Sequence, residues 1–396
     1  MQQSGMANSE RKTLIYRARA GLGNRMLSSV SALLLAMLTD RALLVEWPDV
    51  NVHDVFCEPP GIDWDYILWR EEMEAKGLGG YNTWLPHRLC LVDDICLYPP
   101  GDSTGSLTIN GAAGETPVLA DLVCGDIEQA LTHQHVFLTS TQYFVPLLFA
   151  NPVYAAKLND WFPNGRIAHA LLHYLFQPVD PVTAAVDAFV ADAFVPGNTV
   201  GLQIRSAPIF YFMPGLYSSK DDAAASITAT MATCVDEVLP TASEPIVADP
   251  ATAKLMVASM HADAKRSLVD KYGDRVVLYG GATAKGDDLS VGDTREALVD
   301  ILLLARTDAL VASPLSTFAY TAAAIGRIKP INIHVDVPSP WSDDSILEPI
   351  CRLPPANEPF PEPCLHANTS FDMAIPMPTC PQAPLPAFLL RAPGLC

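Results

Sequence analysis

A glycine-rich turn between an apolar run and a long amphipathic stretch constrains the fold of this chain most strongly. Residues 14–16 form a short apolar run of the strand type, and residues 42–45 form a second one. Between them, large apolar residues recur at steps of three and four: Met26, Leu27, Val30, Leu33, Leu34, Met37 and Leu38. Such a stripe is typical of a helix that faces a core. The segment therefore predicts a strand, a turn, a helix and a strand, the repeating unit of a parallel sheet.

The turn itself, Gly-Leu-Gly-Asn-Arg at residues 21–25, predicts an anion-binding site. Gly21 and Gly23 let backbone N–H groups approach a ligand closely, and a helix N-terminus carries partial positive charge. Arg25 falls in the first helical turn, where a cation is unfavourable for the helix dipole, so its guanidinium is a candidate ligand-binding group. A tight turn with a surface arginine is the alternative for so short a pattern.

The remainder of the chain alternates strand-type and helical segments, which predicts an α/β protein with doubly wound parallel sheets. Because 396 residues exceed what one core ordinarily holds, we expect two Rossmann-like domains that face each other across a ligand cleft. The predicted boundaries are a polar, disordered N-terminus at 1–12, an N-terminal domain at 13–196 with a loop-rich region at 75–130, a C-terminal domain at 197–345, and a Pro- and Cys-rich tail at 346–396.

Polar residues at the ends of two further predicted strands favour the same cleft. Gln203 and Arg205 stand at the end of the strand at 200–204. Ser316, Thr317 and Phe318 open a helix after the strand at 310–312, where hydroxyl groups and helix N–H groups can bind phosphate. A plain N-cap and a surface ion pair would explain either group alone. Together with the turn at 21–25, they favour a phosphate site at one sheet edge.

Composition narrows the partners and the compartment. With 25 basic and 44 acidic residues, the net charge is −19, so the chain has no basic face for nonspecific nucleic-acid binding. Nine cysteines without a Cys-x-x-Cys pair argue against a zinc ribbon. Four of them, Cys351, Cys364, Cys380 and Cys396, lie in the Pro-rich tail, which favours disulfides in an oxidising lumen over buried thiols.

Seven segments, in order along most of the chain, resemble the plant cell-wall fucosyltransferases of the xyloglucan and arabinogalactan type, glycosyltransferase family 37. They lie at residues 21–25, 38–41, 56–59, 142–146, 200–205, 316–320 and 362–366. The resemblance implies a GT-B fold whose C-terminal domain binds a GDP-sugar. It also implies a GDP-fucose donor, inversion at the sugar carbon, no metal or other cofactor, and a galactosyl acceptor in a glycan, with an alpha-1,2 linkage.

The resemblance also assigns roles to residues. Arg205 would stabilise the GDP leaving group, and Gln203, Ser316, Thr317 and Phe318 would hold the phosphates and sugar of the donor. From the opposite domain, the donor would be held by Gly21, Gly23, Asn24 and Arg25. An aromatic face suits a sugar ring, so Gln142 and Tyr143 are candidate acceptor contacts, with a core tyrosine as the alternative.

Several points stay open at this stage. Asp54, Glu58 and His173 are candidates for the general base by residue type only. Asp63-Trp64-Asp65 matches the metal-binding Asp-x-Asp pattern but lies in a turn-rich segment, so we interpret it as a solvated turn. A related GT-B transferase with another nucleotide sugar, and a non-catalytic relative that binds nucleotide or glycan, are the alternative functions.

The resemblance further implies a Golgi membrane protein with its catalytic part in the lumen. Because residues 1–12 are polar, either the protein is soluble as written or, as the resemblance implies, an N-terminal membrane anchor is missing from this sequence. Homodimerisation is left open. The sequence departs from the family at Ala319, where a glycine is usual, in the region 75–130, and in the tail after Phe371.

Overall fold

The computed structural model describes residues 12–47, 51–59, 62, 64, 71, 75, 95–98, 125–131, 134–141, 143–206, 210, 217–242, 245–280, 291–314, 316–335, 349–351, 353 and 363. The chain divides into two compact units, with the division between Gln177 and Pro178. Gln142, Asp63 and Asp65, which carry sequence-based predictions, lie outside the described residues, as do residues 1–11 and most of the region 75–130 and of the tail.

The first unit is built on a mostly parallel sheet with the strand order β2–β1–β5–β4. Its strands are β1 (Thr13–Ala18), β2 (Ala42–Glu46), β4 (Ile95–Tyr98) and β5 (His135–Ser140). The central strand β1 is parallel to β2 and β5, and β4 is antiparallel to β5. A separate short pairing joins β3 (Phe56–Cys57) to β6 (Gln177–Pro178), where the unit ends.

Helices flank this sheet, and the longest of them follows the glycine turn. The helices are α1 (Leu22–Leu38), α2 (Ile127–Ala130), α3 (Val145–Ala150), α4 (Ala155–Trp161) and α5 (Ile167–Leu175). The predicted apolar stripe of α1 is buried except for Met37, which is 40% exposed. Burial of this stripe against β1, β2 and α5 supplies the hydrophobic free energy that holds the helix on the sheet.

The second unit contains the larger sheet, with the strand order β12–β11–β10–β7–β8–β9. Its strands are β7 (Thr199–Ile204), β8 (Lys254–Ser259), β9 (Val276–Val277), β10 (Ala309–Ala312), β11 (Ile331–Val335) and β12 (Pro349–Cys351). The strands from β7 to β11 run parallel, whereas β12 joins the edge antiparallel to β11. The chain moves outward from β7 through β8 to β9 and then returns to the other side of β7 as β10.

The helices of the second unit cover both faces of this sheet. They are α6 (Asp180–Ala193), α7 (Lys220–Thr233), α8 (Ala262–Tyr272), α9 (Val291–Leu304) and α10 (Thr317–Gly326). Alternate residues of β7 face a core that includes Ile227 and Met231 of α7 and Leu268 of α8. Gly201 points to the opposite face, where an added Cβ would meet Leu304 of α9. The sheet is therefore doubly wound, as the alternation of strands and helices predicts.

The division between the units lies before α6, whereas the predicted boundary at 196 lies after it. Helix α6 packs against α9, and the exposed Asp187 and Arg306 form an ion pair at 3.3 Å. Helix α6 therefore belongs with the second unit. Its alanine-rich sequence gives no indication of which sheet it covers.

The close approach of α9 and α10 depends on Gly326. A Cβ at this position would overlap the backbone carbonyl oxygen of Ala305 and lie 2.9 Å from its carbon. We expect Gly326→Ala to lower the free energy of unfolding by about 1–3 kcal/mol, because backbone atoms cannot move aside without separating the two helices. Urea unfolding followed by far-UV circular dichroism measures this change.

Gly201→Ala is the matched control in the same unit. Its added Cβ would lie 2.9 Å from a terminal methyl group of Leu304, and the end of a side chain can rotate away. We therefore expect a smaller loss of stability from Gly201→Ala than from Gly326→Ala. Equal losses would show that the contact with the Ala305 backbone does not limit the packing.

Candidate functional site

The topology of the second sheet singles out the gap between β7 and β10. The strand order reverses direction at this point, and in open α/β sheets ligands bind beyond the carboxyl ends of the strands where the order reverses. Gln203 pairs with Ala312 across these two strands, so the segments that follow them, 205–206 and 313–314, emerge side by side. The structure thus brings together Gln203, Arg205 and the start of α10.

Ser313 fixes the backbone beside Arg205. Its hydroxyl group donates to the carbonyl oxygen of Gln203 at 2.8 Å and accepts the backbone N–H of Arg205 at 2.9 Å. The backbone N–H of Ser313 also donates to the Gln203 carbonyl, at 3.1 Å. We call these three bonds between Ser313 and the backbone of residues 203–205 the clamp. None of them uses the side chain of Arg205. The side chain is half-buried, and its Nη1 donates to Met260 Sδ at 3.1 Å.

The N-terminus of α10 is open to a ligand by its hydrogen bonding. Ser316 is the N-cap residue, but its side chain makes no capping bond, so it does not act as the plain N-cap that was the alternative prediction. The first N–H groups of a helix have no partner within the helix. Among the described residues, neither Ser316 Oγ nor Gln203 Oε1 has a hydrogen-bond partner, although the two residues are only 2% and 3% exposed.

Buried polar atoms without partners are rare and costly, so they mark places where a ligand can complete the bonding. Gln203 stands two residues before Arg205, and Ser316 is the N-cap residue of α10, where a negative charge is favoured. Thr317 and Phe318, the first two residues of α10, are half-buried. Ala319, which replaces the usual glycine of the family, is fully buried in the core, so its methyl group is accommodated by packing.

The glycine turn of the first unit lies at the corresponding point of its own sheet. There β1 is central, with β2 on one side and β5 on the other. Gly21 is the extended N-cap residue of α1, and no atom lies within 4 Å of where its Cβ would be, so the turn is open above the backbone. Asn24 Nδ2 donates to the carbonyl oxygen of Thr141 at 3.1 Å, which ties α1 to the end of β5. Gly23 is buried inside the first helical turn.

Arg25 is not a surface residue. It is 3% exposed, its Nε donates to the carbonyl oxygen of Ala20 at 2.8 Å, and its guanidinium carbon lies 5.5 Å from the centre of a Trp47 ring. Ala20 has a positive φ of 61°, which is unfavourable for a residue with a Cβ. The Arg25 bond therefore stabilises a strained turn. Contact between Arg25 and a donor stays a prediction.

The remaining predicted residues are spread over the first unit. Tyr143 is fully buried, which corresponds to the core position given as its alternative. Asp54 ends a short 3₁₀ helix (Val52–Asp54), and Glu58 is exposed and accepts the backbone N–H of Trp64 at 3.4 Å. His173 is exposed on α5, where its ring lies 4.5 Å from that of His169. The structure singles out none of these three as the general base.

Sequence reasoning missed three residues close to Arg205. These are Ser206, His261 and Asp221. Ser206 Oγ and His261 Nε2 form a hydrogen bond at 2.8 Å, and His261 Nδ1 lies 3.6 Å from Asp221 Oδ1. His261 follows the end of β8, so it stands at the same carboxyl edge of the sheet as Arg205. Its position just after a predicted strand was the signal that could have revealed it.

The described residues also bear on metal binding and on membrane insertion. The described part of the chain holds no group of three His, Cys, Asp or Glu side chains that could bind a metal ion. Metal-independent activity stays a prediction. No helix within the described ranges is long and apolar enough to cross a membrane.

Comparison of the whole chain with known proteins identifies its family. A family model for xyloglucan fucosyltransferase matches residues 2–374. Fucosyltransferase 6 of Arabidopsis thaliana is 26% identical over 395 residues, with 89% of this chain and 68% of the relative covered. The galactoside 2-alpha-L-fucosyltransferase of Pisum sativum is 27% identical over 382 residues, with 91% of this chain and 63% of the relative covered.

A solved structure supports the fold. The GDP complex of an FUT1 mutant from Arabidopsis thaliana has a TM-score of 0.58 at 23% identity and covers 90% of this chain and 76% of its own. Its likeness confirms the predicted GT-B fold. The family model spans nearly the whole chain, and the named relatives are fucosyltransferases. This chain therefore belongs to the xyloglucan fucosyltransferase family and is a glycosyltransferase.

Proposed function

We propose that this protein transfers fucose from GDP-fucose to a galactosyl residue of a cell-wall glycan, with inversion at the sugar carbon and without a metal ion. The observation that carries the proposal is the polar cluster at the β7–β10 gap. There Gln203 and Arg205 lie at the end of β7 beside the end of β10, and Ser316 opens the helix that follows β10; among the described residues Gln203 Oε1 and Ser316 Oγ are buried without hydrogen-bond partners. This set of groups suits a diphosphate.

The chemistry follows from the charge that develops during transfer. As the bond to fucose breaks, negative charge grows on the β-phosphate of GDP and the sugar becomes cationic. Arg205 can pair with that phosphate in a charge-assisted, bidentate manner, which is stronger than a neutral hydrogen bond. The Ser316 hydroxyl and the first N–H groups of α10 add preorganised donors. These groups supply the positive charge that a metal ion would otherwise provide.

Similarity to named relatives supports the proposed acceptor and linkage. The pea relative is named a galactoside 2-alpha-L-fucosyltransferase, and the matching family model is named for xyloglucan. We therefore propose a galactosyl acceptor and an alpha-1,2 linkage. Gln142 stays a candidate acceptor contact, whereas Tyr143 would have to leave the core to act as one.

We also propose that the protein acts in the Golgi lumen. Cys234 and Cys351 form a disulfide in the second unit, and disulfides persist in oxidising compartments. An acidic protein with a net charge of −19 has no general attraction to anionic membranes or nucleic acids. The polar cluster at the β7–β10 gap, with Arg205, would therefore bind an anion locally despite the negative net charge of the protein.

A thermal-shift titration with GDP, GDP-fucose, UDP and ADP, each with EDTA present, tests the donor. A ligand that binds only the folded state stabilises it by RT ln(1 + [L]/Kd), about 2.7 kcal/mol at a hundredfold excess over Kd. We expect the melting temperature to rise with GDP and GDP-fucose and to stay unchanged with UDP and ADP. A larger shift with UDP would replace the proposed donor, and dependence on manganese would reject the metal-free mechanism.

Two serine variants sharpen this experiment. Ser316→Ala removes a hydroxyl group that has no hydrogen-bond partner among the residues that the structure describes, so it should not lower the stability of the free protein but should weaken the shift with GDP. Ser313→Ala removes a hydroxyl group with two partners, so it should lower the stability of the free protein. If Ser316→Ala leaves the shift with GDP unchanged, Ser316 does not contact the phosphates.

A further inference from the structure

Two hydrogen bonds join the segment after β7 to the segment after β8, beside the proposed donor site. Arg205 and Ser206 follow β7, and Met260 and His261 follow β8. One link is the bond from Arg205 Nη1 to Met260 Sδ at 3.1 Å, and the other is the bond between Ser206 Oγ and His261 Nε2 at 2.8 Å. The two links hold the His261 ring next to Arg205.

Ser206 contacts His261, which in turn contacts Asp221, as in a Ser-His-Asp triad. The exposure of these residues nevertheless excludes nucleophilic catalysis. Ser206 is 1% exposed, so no substrate carbonyl can reach its oxygen, whereas the Asp221 side chain is 89% exposed. A carboxylate favours a proton on the nearer ring nitrogen, so we assign the proton of neutral His261 to Nδ1, which lies 3.6 Å from Asp221 Oδ1. Neutral His261 then accepts a hydrogen bond from the Ser206 hydroxyl group at Nε2.

The charges around His261 come from two other elements. Arg205 faces it from the segment after β7, and Lys220 and Asp221 face it from the first turn of α7. On its own helix, Asp263 pairs with Arg266. Burial of the ring lowers the pKa of His261, Asp221 opposes this, and Arg205 and Lys220 lower the pKa further. In the free protein His261 is therefore held neutral at neutral pH.

We propose that His261 is a proton-dependent second cation of the donor site, so that binding of a diphosphate beside Arg205 is coupled to uptake of one proton by His261. This inference rests on the proposed function. A bound diphosphate offsets the charge of Arg205 and adds negative charge near the ring. The proton passes from solvent to Nε2, and the Ser206 hydroxyl turns from donor to acceptor. The imidazole side chain is 20% exposed, so solvent can deliver that proton.

Calorimetric titration with GDP-fucose in the presence of EDTA, without acceptor, tests the coupling. Both phosphates of GDP-fucose are esterified and keep one charge each between about pH 5 and 8, whereas the terminal phosphate of GDP titrates in this range with a pKa of about 6. We expect the Kd of the unaltered protein to fall roughly three- to tenfold from about pH 7.5 to 5.5, because a protonated His261 attracts the diphosphate. The binding enthalpy should vary with the ionisation enthalpy of the buffer, as proton uptake requires.

His261→Gln is the discriminating variant. Its side-chain oxygen can still accept the Ser206 hydroxyl proton, but the side chain does not titrate, so its Kd should no longer depend on pH. Asp221→Asn changes only an exposed carboxylate and should move the tightening to lower pH, since Asp221 favours the protonated ring.

The outcomes separate this inference from the proposed function. A Kd that is independent of pH in the unaltered protein, or a pH dependence that His261→Gln retains, would overturn the coupling alone. If Asp221→Asn has the same pH profile as the unaltered protein, His261 is not the titrating group. Absence of GDP-fucose binding at every pH would overturn the proposed donor and the coupling together.

Discussion

Replacing Arg205 by alanine is expected to reduce fucosyl transfer by about a hundredfold or more while the protein remains folded. The guanidinium is proposed to pair with the leaving diphosphate, so its removal costs most when charge develops in the transition state. The fold should persist, because the clamp between Ser313 and the 203–205 backbone uses no atom of the Arg205 side chain. Initial rates with GDP-fucose and a galactose-terminated glycan, together with circular dichroism, measure both effects.

Two variants control this result. Arg205→Lys keeps the charge but loses the planar pair of donors, so we expect a loss of rate that is smaller than for alanine but still clear. Arg266→Ala removes an exposed arginine of the same unit, one that pairs with Asp263 three residues away, and should leave the rate unchanged. Near-normal transfer by Arg205→Ala would remove Arg205 from the site.

Removal of the Cys234–Cys351 disulfide is expected to cause the largest loss of stability. Cys234 is fully buried at the start of the π-helical turn (Cys234–Val238) after α7, and Cys351 ends the edge strand β12. The bond joins residues 117 apart and packs against the core of the second unit. We expect Cys351→Ala to lower the free energy of unfolding by about 3–5 kcal/mol, because a long loop is no longer closed in the unfolded chain.

Urea unfolding with and without a reductant measures this contribution. The unaltered protein should lose stability when it is reduced, and Cys351→Ala should be far less sensitive to the reductant. Cys57→Ala, at an exposed position on β3, should behave as the unaltered protein does. If reduction leaves the unaltered protein as stable as before, the bond between Cys234 and Cys351 does not stabilise the fold.

The strands and amphipathic helices were predictable because their patterns are local. The predicted strand at 42–45 differs from β2 by one residue, and the predicted strand at 200–204 differs from β7 by one residue. Helix α7 was missed: its alanines and threonines provide few large apolar side chains, so its sequence lacks a clear stripe. The edge strands β4 and β12 were also missed, since each is short and is defined by pairing with a distant strand.

The candidate site was predictable in part. Gln203, Arg205 and Ser316 became candidates because polar residues interrupt apolar strand ends, a pattern that sequence displays directly. The cluster of Ser206, His261 and Asp221 was not found, because its members come from three elements that meet only when the sheet forms. The role of Gly326 was hidden for the same reason. A glycine at a helix end usually takes the left-handed position, but here Arg327 takes it, with a φ of 55°.

The amino-acid sequence alone indicated the class of fold and the family, and it supplied the residues that are proposed to bind a diphosphate, since each depends on local pattern or on motifs in order along the chain. Tertiary structure decided which of those residues meet. The strand order places β10 beside β7, so Arg205 and Ser316 share one edge of the sheet although they are far apart in sequence. It also decided that α6 joins the second unit and that Cys351 pairs with Cys234. These outcomes depend on packing between distant segments, which no local pattern encodes.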